Sequence, residues 1–307
     1  MRPRGASKET LSAVVMDLET RRMQTDGVFY ASYPQPAFPA ISLTGYNCEL
    51  NCKHCMGRYL RSMLPCTRPE ELLKLGLRLA SRGARGLLVS GGFNSEGHVP
   101  LAPFLGALRE LKRETGLFLN VHTGLLPKPL IEGLAAAEVD MVSLDLVGSE
   151  ETLQFVYGLR KRVEDYLETF RAMRSRGLYV VPHLCIGLHG GRLVGERKAL
   201  ELAAGLEVDA FVFLVLVPTP GTPFAGVSPP TLREISQLFG EARGILPGVR
   251  LILGCMRPRG RLGEEIESLA LRAGFQRVAL PSVRTVALAG SMGLEVRRLE
   301  ACCAVPV

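Results

Sequence analysis

The chain lacks most of what would take it out of the aqueous, single-domain class. No apolar run approaches the roughly 18 residues needed to cross a bilayer, and the start, Met1 to Thr10, is charged without the apolar core of a secretion signal. No Pro/Ser-rich linker and no low-complexity run divides the 307 residues. Aromatic residues make up only 6% of the chain, and no recognisable nucleic-acid-binding module is appended. These absences lead to the expectation of a cytoplasmic protein with one large core, 47% hydrophobic, that binds neither membrane nor nucleic acid. A secreted disulfide framework is equally out of place. Eight cysteines in a chain this long, three of them tightly clustered, suggest metal or redox chemistry.

What is present begins with those three. Cys48-Glu49-Leu50-Asn51-Cys52-Lys53-His54-Cys55 sets thiols at C-x3-C-x2-C spacing in a loop just after an apolar strand. A 4Fe-4S cluster normally takes four cysteine thiolates. Three on one loop hold a cluster while leaving one iron open to a reactant. The competing reading is a structural zinc site, since Cys3His is a common zinc set and His54 lies inside the motif. Against it, zinc sites usually pair two C-x2-C knuckles, and a second knuckle is missing.

The cysteine spacing resembles the radical S-adenosylmethionine (SAM) superfamily. The resemblance implies that Cys48, Cys52 and Cys55 hold a 4Fe-4S cluster whose open iron chelates SAM. An electron, from a ferredoxin- or flavodoxin-type donor, then cleaves the sulfonium to a 5′-deoxyadenosyl radical. His54 stands where the superfamily usually has an aromatic residue near the adenine.

Short β-branched runs alternate with helical patterns. Strands are predicted near 40–44, 86–90, 117–122, 140–146, 179–187, 210–217, 249–254 and 277–281. Eight strand–helix units imply an α/β protein, a single-domain (β/α)8 TIM-type barrel over 39–290. Residues 1–38 are expected as an N-terminal helical extension, with an amphipathic helix over 7–25 carrying Leu11, Val14, Val15 and Leu18 on one face. Residues 291–307 are expected to fold as a tail over the barrel top. After the cysteine loop, Thr67 and Glu70 read as a capping box with Pro69 in the first turn, and Gly83 follows the helix end.

Barrel enzymes build their sites at the C-terminal ends of the strands. Gly91 and Gly92 follow the second strand, where the superfamily often has Gly-Gly-Glu to hold the methionine amine; Phe93 replaces the acid. Alternation puts Asn120 with His122, and Ser143 with Asp145, on single strand faces. If those faces point inward, they suit ribose hydroxyls, the methionine carboxylate or substrate. Burial against the backbone is the plainer reading of each.

The stretch around Cys185, its Gly-Gly loop ending at Glu196, and the proline-rich turn after Val217 are similar to biotin synthase. Val249-Arg250-Leu251 resembles the strand that carries an arginine ligand there. Biotin synthase needs further cysteines on its third and fourth strands, and none occurs at 117–123 or 140–146. The chain therefore resembles the archaeal or thermophile-type homologues that include two-protein lipoyl synthases. That implies sulfur insertion into an unactivated C–H position of an octanoyl chain on a carrier, with a partner radical SAM subunit. An auxiliary cluster would draw on Cys185 and Cys255 first, then Cys303 or Cys302, then Cys66. Buried apolar cysteines are the bland alternative. A net charge of +7 and the run Arg257, Arg259, Arg261 fit either a solvated surface or an acidic carrier. The alternative functions are a single-cluster isomerase, ring-forming or methylating enzyme, and a zinc-stabilised binding protein.

Overall fold

The computed structural model describes residues 27–307; the helix expected over 7–25 lies outside the described residues. Eleven strands form one parallel sheet: β1 (Val28–Ser32), β2 (Ala40–Ser42), β3 (Leu64–Pro65), β4 (Gly86–Ser90), β5 (Phe118–His122), β6 (Met141–Asp145), β7 (Val180–Ile186), β8 (Ala210–Val215), β9 (Arg250–Leu253), β10 (Arg277–Ala279) and β11 (Glu295–Leu299). Their order is β11-β1-β10-β9-β8-β7-β6-β5-β4-β2-β3. All eight predicted strands are present and contiguous in it. Eight helices of nine residues or more alternate with them: α1 (Pro69–Ser81), α2 (Leu105–Thr115), α3 (Lys128–Ala136), α4 (Val163–Ser175), α5 (Glu196–Ala204), α6 (Leu232–Ile245), α7 (Gly260–Arg272) and α8 (Val283–Ser291).

Parallel strands are covered on both faces, which is why they read as nearly unbroken apolar runs. Along β8, Phe211 and Phe213 turn outward against the helices while Ala210 and Val212 face the lumen. The outer layer closes with Phe213, Phe239 and Phe275, whose ring centroids lie 4.5–5.7 Å apart. Among the described residues β2 and β10 do not pair; β1 and β11 continue the sheet beyond β10 instead. The barrel is therefore an open, curled sheet.

Four expectations need correction. Residues 28–32 are a sheet strand rather than part of a helical extension reaching 38. The helix after the cysteine loop is capped one residue later than expected: Arg68 is the N-cap and Glu71, not Glu70, closes the box, its Oε2 accepting from the Thr67 and Arg68 amides. The tail does not lie over the barrel top. Cys303 and Ala304 pack with Met141, Ala210 and Ile252 in the lumen, near strand beginnings. Arg277, the first residue of β10, donates to the carbonyls of Cys303 (2.7 Å) and Val305 (2.6 Å), and Arg250, the first of β9, to that of Val307. The tail thus fills the lower mouth, where an apolar floor and two guanidinium groups receive it.

The basic run is the fourth. Arg257 is 2% exposed and pairs with the buried Glu267 at 2.5 Å; Arg259 donates to the carbonyls of Leu280 and Cys255. Arg259 and Arg261 are both exposed, and only Arg257 is buried. A run that reads as one basic patch is divided: Arg257 is internal scaffolding, while Arg259 and Arg261 remain at the surface.

Candidate active site

The cysteine loop leaves the C-terminal end of β2 and is tied down by β4. Leu43 N–H donates to the Ser90 carbonyl at 2.8 Å. Thr44 Oγ1 accepts from Gly92 N–H at 2.7 Å and donates to the Asn47 carbonyl at 2.8 Å, so one hydroxyl joins the two loops. Gly92 permits this closeness: a Cβ there would overlap the Asn47 carbonyl and the Cys48 backbone. A methyl at Gly91 would press on Thr44. Glu49 N–H donates to the Phe93 carbonyl at 2.9 Å, extending the seam.

Cys48, Cys52 and Cys55 line one wall of a cavity that opens at this end of the sheet. The donor atoms of Cys52, His54 and Cys55 lie within 4.8 Å of one another. The Cys52 thiol donates to Cys55, which holds Cys55 below the ordinary thiol value and pushes Cys52 above it. Three convergent thiols, all free, are the donor set a 4Fe-4S cluster takes. His54 Nδ1 is buried without a hydrogen-bond partner, and its ring packs between Tyr59 and Tyr157, centroids 6.4 and 5.8 Å away.

His122, Asp145, His183 and Cys185 face the same cavity from β5, β6 and β7. His122 Nε2 stands 3.3 Å from Asp145 Oδ2, and its Nδ1 3.4 Å from Ser90 Oγ. Burial alone would lower the His122 pKa, but the Asp145 carboxylate raises it; burial would raise Asp145, but His122 lowers it. Each partner thus favours the charged form of the other. His183 is pushed down to about 4 by burial, and its Nδ1 lies 3.0 Å from the Val181 carbonyl. It is a neutral acceptor at neutral pH.

The sequence-derived residues divide clearly. Gly91, Gly92, His54, His122, Asp145 and Val217 line the cavity. Asn120 and Ser143 lie beneath its floor, bonded to each other at 3.0 Å. Glu196, expected near the cofactor, is not on the cavity wall: its Oε1 accepts from Gly187 N–H at 2.9 Å, a tie across the β7–α5 loop, and burial raises its carboxyl. Cys66 lines a separate recess with Thr67 and Glu71. Cys185 stands at the cavity wall, Cys255 follows β9, and Cys302 and Cys303 enter from below. Cys255, Cys302 and Cys303 lie near enough to act on one another electrostatically, and among the described residues no second group of three His, Cys, Asp or Glu donor atoms lies within 4.8 Å. Sequence reasoning missed Tyr59 and Tyr157. Tyr59, bonded through its hydroxyl to Thr219 at 2.8 Å, had the one usable signal, an aromatic shortly after Cys55.

Comparison with known proteins agrees with this geometry. The chain is similar to biotin synthase of Alkalilimnicola ehrlichii, 27% identical over 249 residues that span 78% of this chain and 72% of that protein. It is likewise similar to biotin synthase of Prochlorococcus marinus, 25% identical over 281 residues, 88% of this chain and 79% of that one. In fold it matches methylornithine synthase, with a TM-score of 0.63 at 16% identity, covering 96% of this chain and 91% of that one. It also matches the FeFe-hydrogenase maturase HydG from Carboxydothermus hydrogenoformans, TM-score 0.66 at 14% identity over 98% and 74%. The model of the radical SAM superfamily matches residues 42–203, a span that holds Cys48, Cys52 and Cys55, the glycine seam and the His122–Asp145 pair, and the chain belongs to that superfamily.

Proposed function

We propose that the protein inserts sulfur at an unactivated C–H position of an aliphatic acyl chain, a lipoyl synthase-type reaction on a carrier-bound octanoyl group. The observation that carries this reading is the apolar wall of the cavity. Leu60, Met63, Leu214, Leu216, Val217 and Met256 line it between the cysteine loop and the lumen. An alkyl chain gains about 0.8 kcal/mol per CH2 buried on such a surface. The cluster and SAM, when bound at Cys48, Cys52 and Cys55, supply a radical able to take hydrogen from an unreactive carbon. The protein supplies position and dryness. Gly91 and Gly92 let a ligand approach the backbone, the His122–Asp145 pair offers hydrogen bonds to ribose or substrate, and the leucines exclude water.

The test is anaerobic turnover of an octanoyl-lysine peptide with SAM and dithionite. Thiolated octanoyl product with 5′-deoxyadenosine supports the proposal. The second reading, a single-cluster isomerase, ring-forming or methylating enzyme, is favoured by the lack, among the described residues, of a second group of three His, Cys, Asp or Glu donor atoms within 4.8 Å. It takes over if 5′-deoxyadenosine forms with hydrogen from the substrate and no sulfur is added.

A further inference from the structure

The lumen below the cavity floor holds reactive groups that the chemistry above does not use. Asn120 lies two residues before His122 on β5, roughly 6.6 Å lower along the strand. Its Nδ2 donates to Cys302 Sγ at 3.6 Å, and its Oδ1 accepts from Ser143. Arg277 is 3% exposed and donates to the neutral carbonyls of Cys303 and Val305. Among the described residues no carboxylate pairs with it, and the acidic groups acting on it are Cys303, Cys302 and Tyr30. A buried guanidinium without a carboxylate is stabilised by another anion. The Cys303 thiol, the Ala304 amide and Asn120 all donate to Cys302 and hold its thiol below the ordinary value against burial, while Cys303 is raised. Cys302 is partly exposed.

We propose that Cys302 is a sulfane-sulfur carrier, taking the terminal sulfur of a persulfide or polysulfide and holding it beneath the substrate. This rests on the sulfur-insertion reading and gives it a sulfur source that needs no auxiliary cluster. In loading, the Cys302 thiolate attacks the terminal sulfur of R–S–SH. A Cys302 S–S bond forms, the donor S–S bond breaks, R–S⁻ leaves, and the proton stays on the transferred sulfur. That sulfur stands ~2 Å beyond the thiol. In delivery, a substrate carbon radical bonds to it while the Cys302 S–S bond breaks homolytically, giving C–SH and a Cys302 thiyl. One electron from the reduced ferredoxin- or flavodoxin-type donor returns the Cys302 thiyl to the thiolate, ready for the next loading.

The experiment exposes the whole reduced protein to inorganic polysulfide without air, traps thiols and persulfides with an alkylating reagent, and reads the peptide 299–307 released after Arg298 by mass spectrometry. One added sulfur on that peptide in the parent and in C303S, and none in C302S, is expected. An unmodified tail while other cysteines load, or equal loading of C302S, overturns the proposal. Loading needs neither SAM nor acyl substrate. Normal loading with no thiolated octanoyl product would therefore sink the substrate reading alone, and thiolated product without loading would sink the carrier alone.

Discussion

A methyl group at position 92 would overlap the Asn47 carbonyl and the Cys48 backbone, so Gly92→Ala should displace the first thiol of the cysteine loop. Overpacking of this kind costs about 1–3 kcal/mol. Iron per chain after anaerobic reconstitution should fall severalfold against the parent; equal loading would show that the seam yields. The His122–Asp145 pair makes a prediction about pH. His122 is raised above its ordinary 6.5, so its contribution to stability is full below that value and is lost as pH rises through the folded value. Asp145 is lowered from 3.8, so its contribution is present above that value and is lost as pH falls through the folded one. Asp145→Asn should therefore lower the His122 titration midpoint followed by NMR, and an unmoved midpoint would mean the two do not interact. Cys48, Cys52 and Cys55 were legible because their spacing is itself the signal. His122 and Asp145 were legible from strand alternation. Glu196 and Arg257 misled because a sequence does not say whether a charged side chain turns toward a cavity or toward a neighbouring backbone.

Between elements, the Arg257–Glu267 pair joins the loop after β9 to α7, and Glu267 also accepts from the Ser282 amide and the Thr285 hydroxyl at the start of α8. Removing one partner leaves the other charge buried, at a cost of about 3–5 kcal/mol. Arg257→Met should show that loss in urea unfolding, whereas exposed Arg261→Met should change stability little. Burial works against ionised Glu267, but Thr285, Ser282 and Arg257 lower it below 4.5, so its share of stability is present above that pH and declines as pH falls through the folded value. The eight barrel strands could be read because each is an apolar run bounded by turns. β3 is only two residues long, and β11, Glu295–Leu299, carries charge at three of its five positions, so neither shows the pattern of a buried parallel strand.

For the molecule as a whole, the tail and the cysteine loop sit at opposite ends of one lumen. Removing residues 300–307 would leave buried Arg277 without its two carbonyl acceptors, a penalty of about 1–3 kcal/mol for the unsatisfied group. Amide exchange should then quicken near Met141, Ala210 and Ile252, and protection equal to the parent would contradict the plug. The pairing of β1 with β11, in which Val28 faces Glu295, carries a consequence for assembly order. Contacts between residues so distant in sequence close last, because their loop entropy must be met before they form. The central strands can thus associate while the lumen is still open below. Because Cys302 and the rest of the tail follow β11 in the chain, they enter the lumen only as that last strand docks, which makes the order in which the lower mouth closes a property written into the strand order.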